Sequence, residues 1–140
     1  MIQRDYLLKL IEEAAYVLSR LLGLRTGGRY EEAFELINQT LGSFFKFKRE
    51  LLHNTEPEEL PQILIRDYGL NDDQLSILAD LLREEGELWN AQAEWEKAIS
   101  SLTRALAILE FLNHKQKDLY SFERVSKMEI IRGKIDELKS

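Results

Sequence analysis

The chain has 140 residues, no cysteine and a formal net charge of −6. Its length predicts one domain spanning residues 1–140, and the lack of cysteine excludes disulfides, thiolate chemistry and cysteine-based zinc sites. Only two prolines and seven glycines interrupt a composition rich in leucine, glutamate, alanine and lysine, which predicts an all-α fold.

The hydropathy pattern indicates neither a leader peptide nor a membrane segment. Acidic residues interrupt the apolar pattern of residues 1–15, and no signal-peptide cleavage site follows them. No uncharged apolar run approaches the roughly 18 residues that a membrane span needs. We therefore expect a cytoplasmic protein with no membrane partner.

The first predicted helix runs from about Ile2 to Leu24 and ends at the Gly27-Gly28 pair, where glycine can adopt positive φ. Apolar residues recur along it at spacings of three and four, the pattern of one buried helix face. These residues are Leu7, Leu10, Ile11, Ala14, Leu18 and Leu21.

The second predicted helix runs from Tyr30 to about Leu52 and carries two apolar stripes. The main stripe is Tyr30, Ala33, Phe34, Ile37, Leu41, Phe45 and Leu52, and the second is Phe44, Phe47 and Leu51. Two stripes require two neighbours, which can be helices of the same chain or of another subunit.

A small basic and aromatic cluster lies near the end of this helix. Lys46, Lys48 and Arg49 alternate there with phenylalanines, as in some nucleic-acid-binding surfaces. The cluster covers one helical turn of an acidic protein and has no recognised nucleic-acid-binding module around it. Nucleic-acid binding is therefore the weaker alternative.

Two capping boxes predict where the next two helices begin. Thr55 with Glu58 opens a short helix from Glu56 to Ile65, which Pro61 confines or kinks. Asn71 with Gln74 opens a longer helix, whose apolar side is Leu75, Leu78, Ala79, Leu82, Gly86 and Trp89.

The stretch 86–113 predicts a helix end, a tight turn and a second helix packed back on the first. Gly86 lies inside a helical pattern, where glycine costs about 1 kcal/mol relative to alanine, so we expect close helix packing there. The apolar stripe of the second helix is Trp95, Ala98, Leu102, Ala105, Leu106 and Leu109. Ser121 caps a final helix over 121–139.

The residues of this hairpin resemble a tetratricopeptide repeat (TPR), a helix–turn–helix unit of roughly 34 residues. A glycine and an aromatic residue precede the turn, an aromatic residue follows it, and small and apolar residues come next: Gly86, Trp89, Trp95, Ala98, Leu102, Ala105 and Leu106. Glu85 and Glu110 stand where the repeat has a leucine and a closing proline.

A second part of the chain is similar to the same repeat. The stretch from Gly28 to Ala33, GRYEEA, resembles its G-x-Y-x-x-A turn. The resemblance implies TPR-like hairpins near 2–52 and 71–113 with a capping helix at 121–139, hence five major helices and one short helix. The chain also resembles an uncharacterised bacterial family of small TPR-like proteins, which implies no activity.

The resemblance further implies a concave groove lined by the first helix of each hairpin. In the second hairpin the groove positions are Asp80, Arg83, Glu87, Asn90 and Ala91, which do not resemble the lysine and asparagine clamp that some TPR proteins use for a terminal carboxylate. In the first hairpin they are largely apolar: Ala15, Leu18, Leu22, Arg25 and Thr26. An apolar groove needs a helix, a partner or a second copy to cover it.

The sequence contains no motif for catalysis, a cofactor or a metal. We expect His53 and His114 at helix ends, and Glu84, Glu85 and Glu87 on a solvated helix surface without the spacing of a calcium loop. These patterns favour a non-catalytic interaction or scaffold module over an enzyme.

The rival interpretation is a structural homodimer whose groove is filled by its own chain. Two apolar edges exceed what one hairpin can cover, and we expect at least one of them at a contact with a second copy or a protein partner. The edge residues are Leu18 and Leu22 on the first helix and Phe44, Phe47 and Leu51 on the second.

The charge is distributed unevenly along the chain. The stretch 56–96 contains twelve acidic residues and only two basic ones, Arg66 and Arg83. Such a stretch is typical of a solvated helix face, and it is also able to attract a basic partner.

Overall fold

The computed structural model of the chain describes residues 2–116 and 121–140, in which every regular element is a helix. The elements are α1 (Ile2–Thr26), α2 (Tyr30–Thr40), a π-helical turn (Leu41–Phe45), α3 (Arg49–His53), α4 (Leu60–Tyr68), α5 (Asp72–Ala91), α6 (Trp95–Lys115) and α7 (Phe122–Lys139). The predicted all-α class is confirmed. None of the described helices is long and apolar enough to cross a membrane.

The predicted second helix is not continuous, and this part of the prediction was wrong. It ends as an α-helix at Thr40, widens into the π-helical turn, and stops at Lys46, which has a left-handed φ of 61°. Left-handed backbone reverses the direction of a helix, so the chain turns before α3 begins. Phe45 and Phe47, on either side of Lys46, both lie in the core.

The short helix also differs from its prediction, because Thr55 closes one helix instead of opening the next. The buried Thr55 hydroxyl donates a hydrogen bond of 2.7 Å to the carbonyl of Leu51 in α3. Consequently α4 begins only at Leu60 and has no side-chain cap. Pro61 lies in its first turn, where the missing N–H does no harm.

Helices α5 and α6 form a tight hairpin joined by residues 92–94. Asp72 at the start of α5 bonds Gln116 just beyond α6, while Glu85 bonds Ser101, so the two helices run antiparallel. The two helices pack closely at Gly86, where an added Cβ would lie 2.7 Å from Cγ of Leu102. The packing reason that we expected for this glycine is therefore present.

The other helices surround this hairpin. Helices α1 and α2 both pack against α5, and α7 packs against α6. The predicted caps of α5 and α7 are present: Asn71 and Gln74 form a capping box, and Ser121 accepts from the backbone N–H of Arg124. Trp95, which we expected in the buried stripe of α6, is instead 49 % exposed because it lies at the first turn, beside the interhelical loop.

Candidate functional site

A buried carboxylate, Glu85, lies where α3, α5 and α6 meet. Its side chain is only 1 % exposed, and its Oε1 accepts hydrogen bonds from Ser101 Oγ at 2.7 Å and from His53 Nε2 at 2.8 Å. The Nε of Arg49 lies 2.8 Å from Oε2, as an ion pair outside hydrogen-bond geometry. We call Arg49, His53, Glu85 and Ser101 the Glu85 cluster.

The surroundings of Glu85 favour its charged form. Burial acts to raise the pKa of its carboxyl group, but this is outweighed by the hydrogen bond and charge of His53, the hydrogen bond from Ser101 and the charge of Arg49. The pKa of Glu85 is therefore lowered below its ordinary value. A buried ion held by several partners is costly to disturb, because each partner would be left unsatisfied.

Helix α3 brings the guanidinium of Arg49 and the imidazole of His53 to Glu85. Arg49 and His53 are four residues apart, so they project from one face of the helix. A helix of five residues is too short to be stable alone. It is held from α6 by the buried Arg104, which donates hydrogen bonds to the carbonyls of Leu52 at 2.7 Å and Thr55 at 2.8 Å.

A solvent-open cleft of about 390 Å³ adjoins the Glu85 cluster. The guanidinium carbon of Arg49 lies 6.0 Å from the centre of the Trp89 ring, and Lys97 Nζ lies 4.6 Å from the same ring. Both distances are typical of cation–π contacts. The cleft is lined by Arg49, Glu50, His53, Asn54, Trp89, Lys97 and Ser100.

The geometry of the Glu85 cluster differs from that of a catalytic triad. In a triad, histidine lies between the hydroxyl and the carboxylate, so that it can take the proton of the hydroxyl. Here Ser101 and His53 both bond the same oxygen of Glu85, and Ser101 is fully buried. The cluster can hold charge and position cations, but its hydroxyl does not face the histidine as a nucleophile would.

The residues predicted to line a concave groove lie along α5. Ala91 is exposed, and the other four are half-buried: Asp80, Arg83, Glu87 and Asn90. Asp80 forms an ion pair of 3.1 Å with Lys127 of α7. Burial raises the pKa of Asp80 above its ordinary value, despite the opposing charge of Lys127. The chain's own last helix therefore covers this end of the predicted groove.

The predicted edge on the second helix lies largely within the fold. Phe47 is 7 % exposed and contacts Phe45 and Tyr68, with ring centres 5.7 and 5.2 Å away. Phe44 and Leu51 are half-buried and pack against the core. Phe47 and Leu51 follow the break at Lys46, and both pack into or against the core.

The predicted edge on the first helix is accessible and longer than the two residues first assigned to it. Leu22 is 48 % exposed and Leu18 is half-buried. Ile11, which we expected in the buried stripe, is 43 % exposed, and Leu8 is 51 % exposed. The actual buried stripe is Leu10, Ala14, Val17, Leu21 and Leu24.

These exposed residues form a second apolar stripe on α1, which we call the α1 seam: Leu8, Ile11, Ala15, Leu18 and Leu22. The residues alternate in spacings of three and four, which is the heptad pattern by which one helix packs along another. Sequence reasoning missed Leu8 because the two stripes of α1 are interleaved, and only contacts with α2 and α5 distinguish them.

Sequence reasoning also missed the Glu85 cluster. We expected Glu84 and Glu85 on a solvated surface, but Glu85 is buried and Glu84 pairs with Arg25 at 3.3 Å. One signal was available: a glutamate stands where the repeat has a leucine. Among the residues that the structure describes, no three metal-binding side chains converge to hold an ion.

Comparisons with protein families, curated proteins and solved structures give no significant match to this chain.

Proposed function

We propose that this chain is a non-catalytic, TPR-like interaction module that forms a homodimer through the α1 seam. One observation carries the proposal. Leu8, Ile11 and Leu22 are each between 43 and 51 % exposed along a single helix face. Contiguous apolar surface on a water-soluble protein marks an interaction site, because covering it removes the surface from water.

The packing of the helices supports a TPR-like arrangement. Helix α5 contacts both α1 and α2, as expected when one hairpin stacks on the hairpin before it. Helix α7 follows the second hairpin and exposes charged residues such as Glu129 and Asp136, as a terminal capping helix does. In such an array the α1 seam lies on the helix that begins the stack.

The seam fits a second copy of itself when the two helices run antiparallel. With Leu18 opposite Ala15 of the second copy, Leu22 comes opposite Ile11, and the same pairs recur by symmetry. Each alanine then faces a leucine, so large and small side chains alternate across the contact. The paired residues, 11 to 22, span about 17 Å at 1.5 Å per residue.

The charges beside the seam are compatible with this pairing. Asp5 and Glu12 flank its N-terminal half, whereas Ser19 and Thr26 flank its C-terminal half. In an antiparallel pair the two different halves meet, so carboxylates of one copy lie beside hydroxyls of the other. The contact therefore avoids opposing like charges, which would weaken it.

Sedimentation velocity over a range of concentrations tests the dimer. We expect Leu22→Asp to weaken association by about 2 kcal/mol, roughly 30-fold, because a charge replaces an apolar side chain that faces Ile11 of the second copy. Ile11→Asp should act similarly. The matched control is Tyr16→Asp, on the same helix but outside the seam, where the side chain is 66 % exposed.

All three variants should keep the circular dichroism of the parent, because none of these side chains is buried in the fold. A parent that stays monomeric at millimolar concentration would overturn the homodimer. Equal loss of association in Tyr16→Asp and Leu22→Asp would show that the contact does not use the seam.

A further inference from the structure

We propose that the cleft beside the Glu85 cluster binds an oxyanion, a phosphate or carboxylate group, through Arg49 and Lys97. Arg49 reaches the cleft from α3 and Lys97 from the first turn of α6. His53 lines the same cleft and adds a third nitrogen-bearing side chain. Three such groups converge on one cleft in a protein whose formal net charge is −6.

Glu85 holds the side chains of Arg49 and His53 in place from the interior side of the cleft. It faces Arg49 through Nε and His53 through Nε2. The terminal nitrogens of Arg49 have no hydrogen-bond partner among the residues that the structure describes, and its side chain is 24 % exposed. A guanidinium fixed at one edge presents its remaining N–H groups as a fork, which matches two oxygens of a phosphate or carboxylate.

Lys97 supplies a second positive charge that the fold does not neutralise. Within residues 2–116 and 121–140, no carboxylate lies within 4.0 Å of its Nζ. The ammonium group instead lies over the ring of Trp89, which also contacts Arg49. Both cations line the cleft beside one indole ring, and an anion bound in that cleft would reduce their mutual repulsion.

One side chain of the cleft opposes this binding. Glu50 is exposed at the rim and carries a negative charge into the same space. Because it is solvated and forms no ion pair with the described residues, it can turn away when an anion enters. The proposal therefore predicts that Glu50→Gln binds anions more tightly than the parent.

The test is an NMR titration of ¹⁵N-labelled full-length protein with inorganic phosphate and, separately, with acetate. Ionic strength is held constant with sodium chloride, so that general screening does not contribute. We expect saturable shifts of the Arg49 Nε–H and Trp89 indole signals. The anion with the smaller dissociation constant shows whether the cleft prefers phosphate or carboxylate.

Lys97→Gln is the decisive variant, because Lys97 is exposed and its loss should not affect folding. For Lys97→Gln we expect a dissociation constant at least about fivefold larger than that of the parent. For Glu50→Gln we expect one at least about twofold smaller. The matched control is Lys48→Gln, which removes the same charge from an exposed position outside the cleft.

Two results would overturn the proposal. The first is that neither anion gives saturable shifts below 50 mM, roughly the weakest affinity that we would count as a site. The second is that Lys48→Gln and Lys97→Gln weaken binding equally, which would show that only the general charge of the surface attracts the anion. The cleft is separate from the α1 seam, so the monomeric Leu22→Asp variant should bind the anion as the parent does.

Discussion

The Glu85 cluster and the α1 seam depart from the usual distribution of residues in opposite ways. The cluster buries a charge at a position where the resembling repeat has leucine, and the seam exposes leucine and isoleucine where a helix usually carries charge. The cost of the first is met within the chain, because Arg49, His53 and Ser101 surround the carboxylate. The cost of the second is not met by the residues that the structure describes, which is why we propose a partner at the seam.

The largest expected effect comes from removing the buried charge. Glu85→Ala should lower the free energy of unfolding by about 3–5 kcal/mol, because Arg49 and His53 would lose their buried counter-charge. The neighbouring Glu84→Ala is the matched control. It breaks a partly exposed ion pair with Arg25 and should cost about 1 kcal/mol or less.

Urea denaturation followed by circular dichroism measures both variants. If both variants lose the same free energy of unfolding, then the burial of Glu85 does not make it more important for stability than the partly exposed Glu84. The contrast between the Glu85 cluster and an ordinary surface ion pair would then be lost.

A second pair of variants compares the two regions through their glycines. Gly86→Ala should destabilise by about 1–3 kcal/mol, because the new Cβ would lie 2.7 Å from Cγ of Leu102 in a closely packed hairpin. Gly23→Ala, next to the α1 seam, has no atom within 4 Å of the new Cβ. It should stabilise by up to about 1 kcal/mol, because alanine favours helix.

Thermal unfolding at low protein concentration tests whether Gly86→Ala is less stable than the parent and Gly23→Ala more stable. A stabilised Gly86→Ala would show that α5 and α6 separate easily, and a destabilised Gly23→Ala would show that this part of α1 is covered.

The smallest expected effect concerns acid stability. The pKa of Glu85 in the folded chain lies below its ordinary value of 4.5, so its stabilising contribution is present above that pH and is lost as the pH falls through the lowered pKa. Glu85→Gln, although less stable near neutrality, should therefore lose less stability than the parent between about pH 5 and pH 2.

Asp80 should respond in the opposite sense. Its pKa in the folded chain lies above the ordinary 3.8, so the folded state takes up this proton first and gains stability as the pH falls through the raised pKa. Asp80→Asn removes that gain and should steepen the loss of stability on acidification. Urea midpoints measured at several pH values test both slopes, and identical slopes for the two variants would contradict the assignment.

Much of the fold could be predicted because its signals are local. Asn71 with Gln74 and Ser121 mark helix starts through residues three positions apart, and the structure contains both caps. Gly86 indicated close packing because glycine is otherwise unfavourable inside a helix. Local signals also failed, as at Thr55, whose hydroxyl bonds backward to the carbonyl of Leu51 instead of capping the next helix as predicted.

The candidate sites could not be predicted because their partners are distant in the sequence. Glu85 forms a hydrogen bond with His53, which lies 32 residues away in the sequence, and no local pattern near either residue predicts this contact. The break at Lys46 carries no glycine or proline signal, although its φ of 61° is unusual for lysine. Tertiary packing decides both features, and it also decides which of the two stripes on α1 faces the core.

The hydrogen bonds of Arg104 have a consequence for the order of folding. The α5–α6 hairpin closes through contacts such as Glu85–Ser101, 16 residues apart, whereas Arg104 reaches α3 across 49 to 52 residues. Contacts with larger sequence separation form later, because closing a longer loop costs more entropy. The hairpin should therefore form before α3 docks on it, so an anion in the cleft would bind only after this docking and would slow the release of α3 from the hairpin.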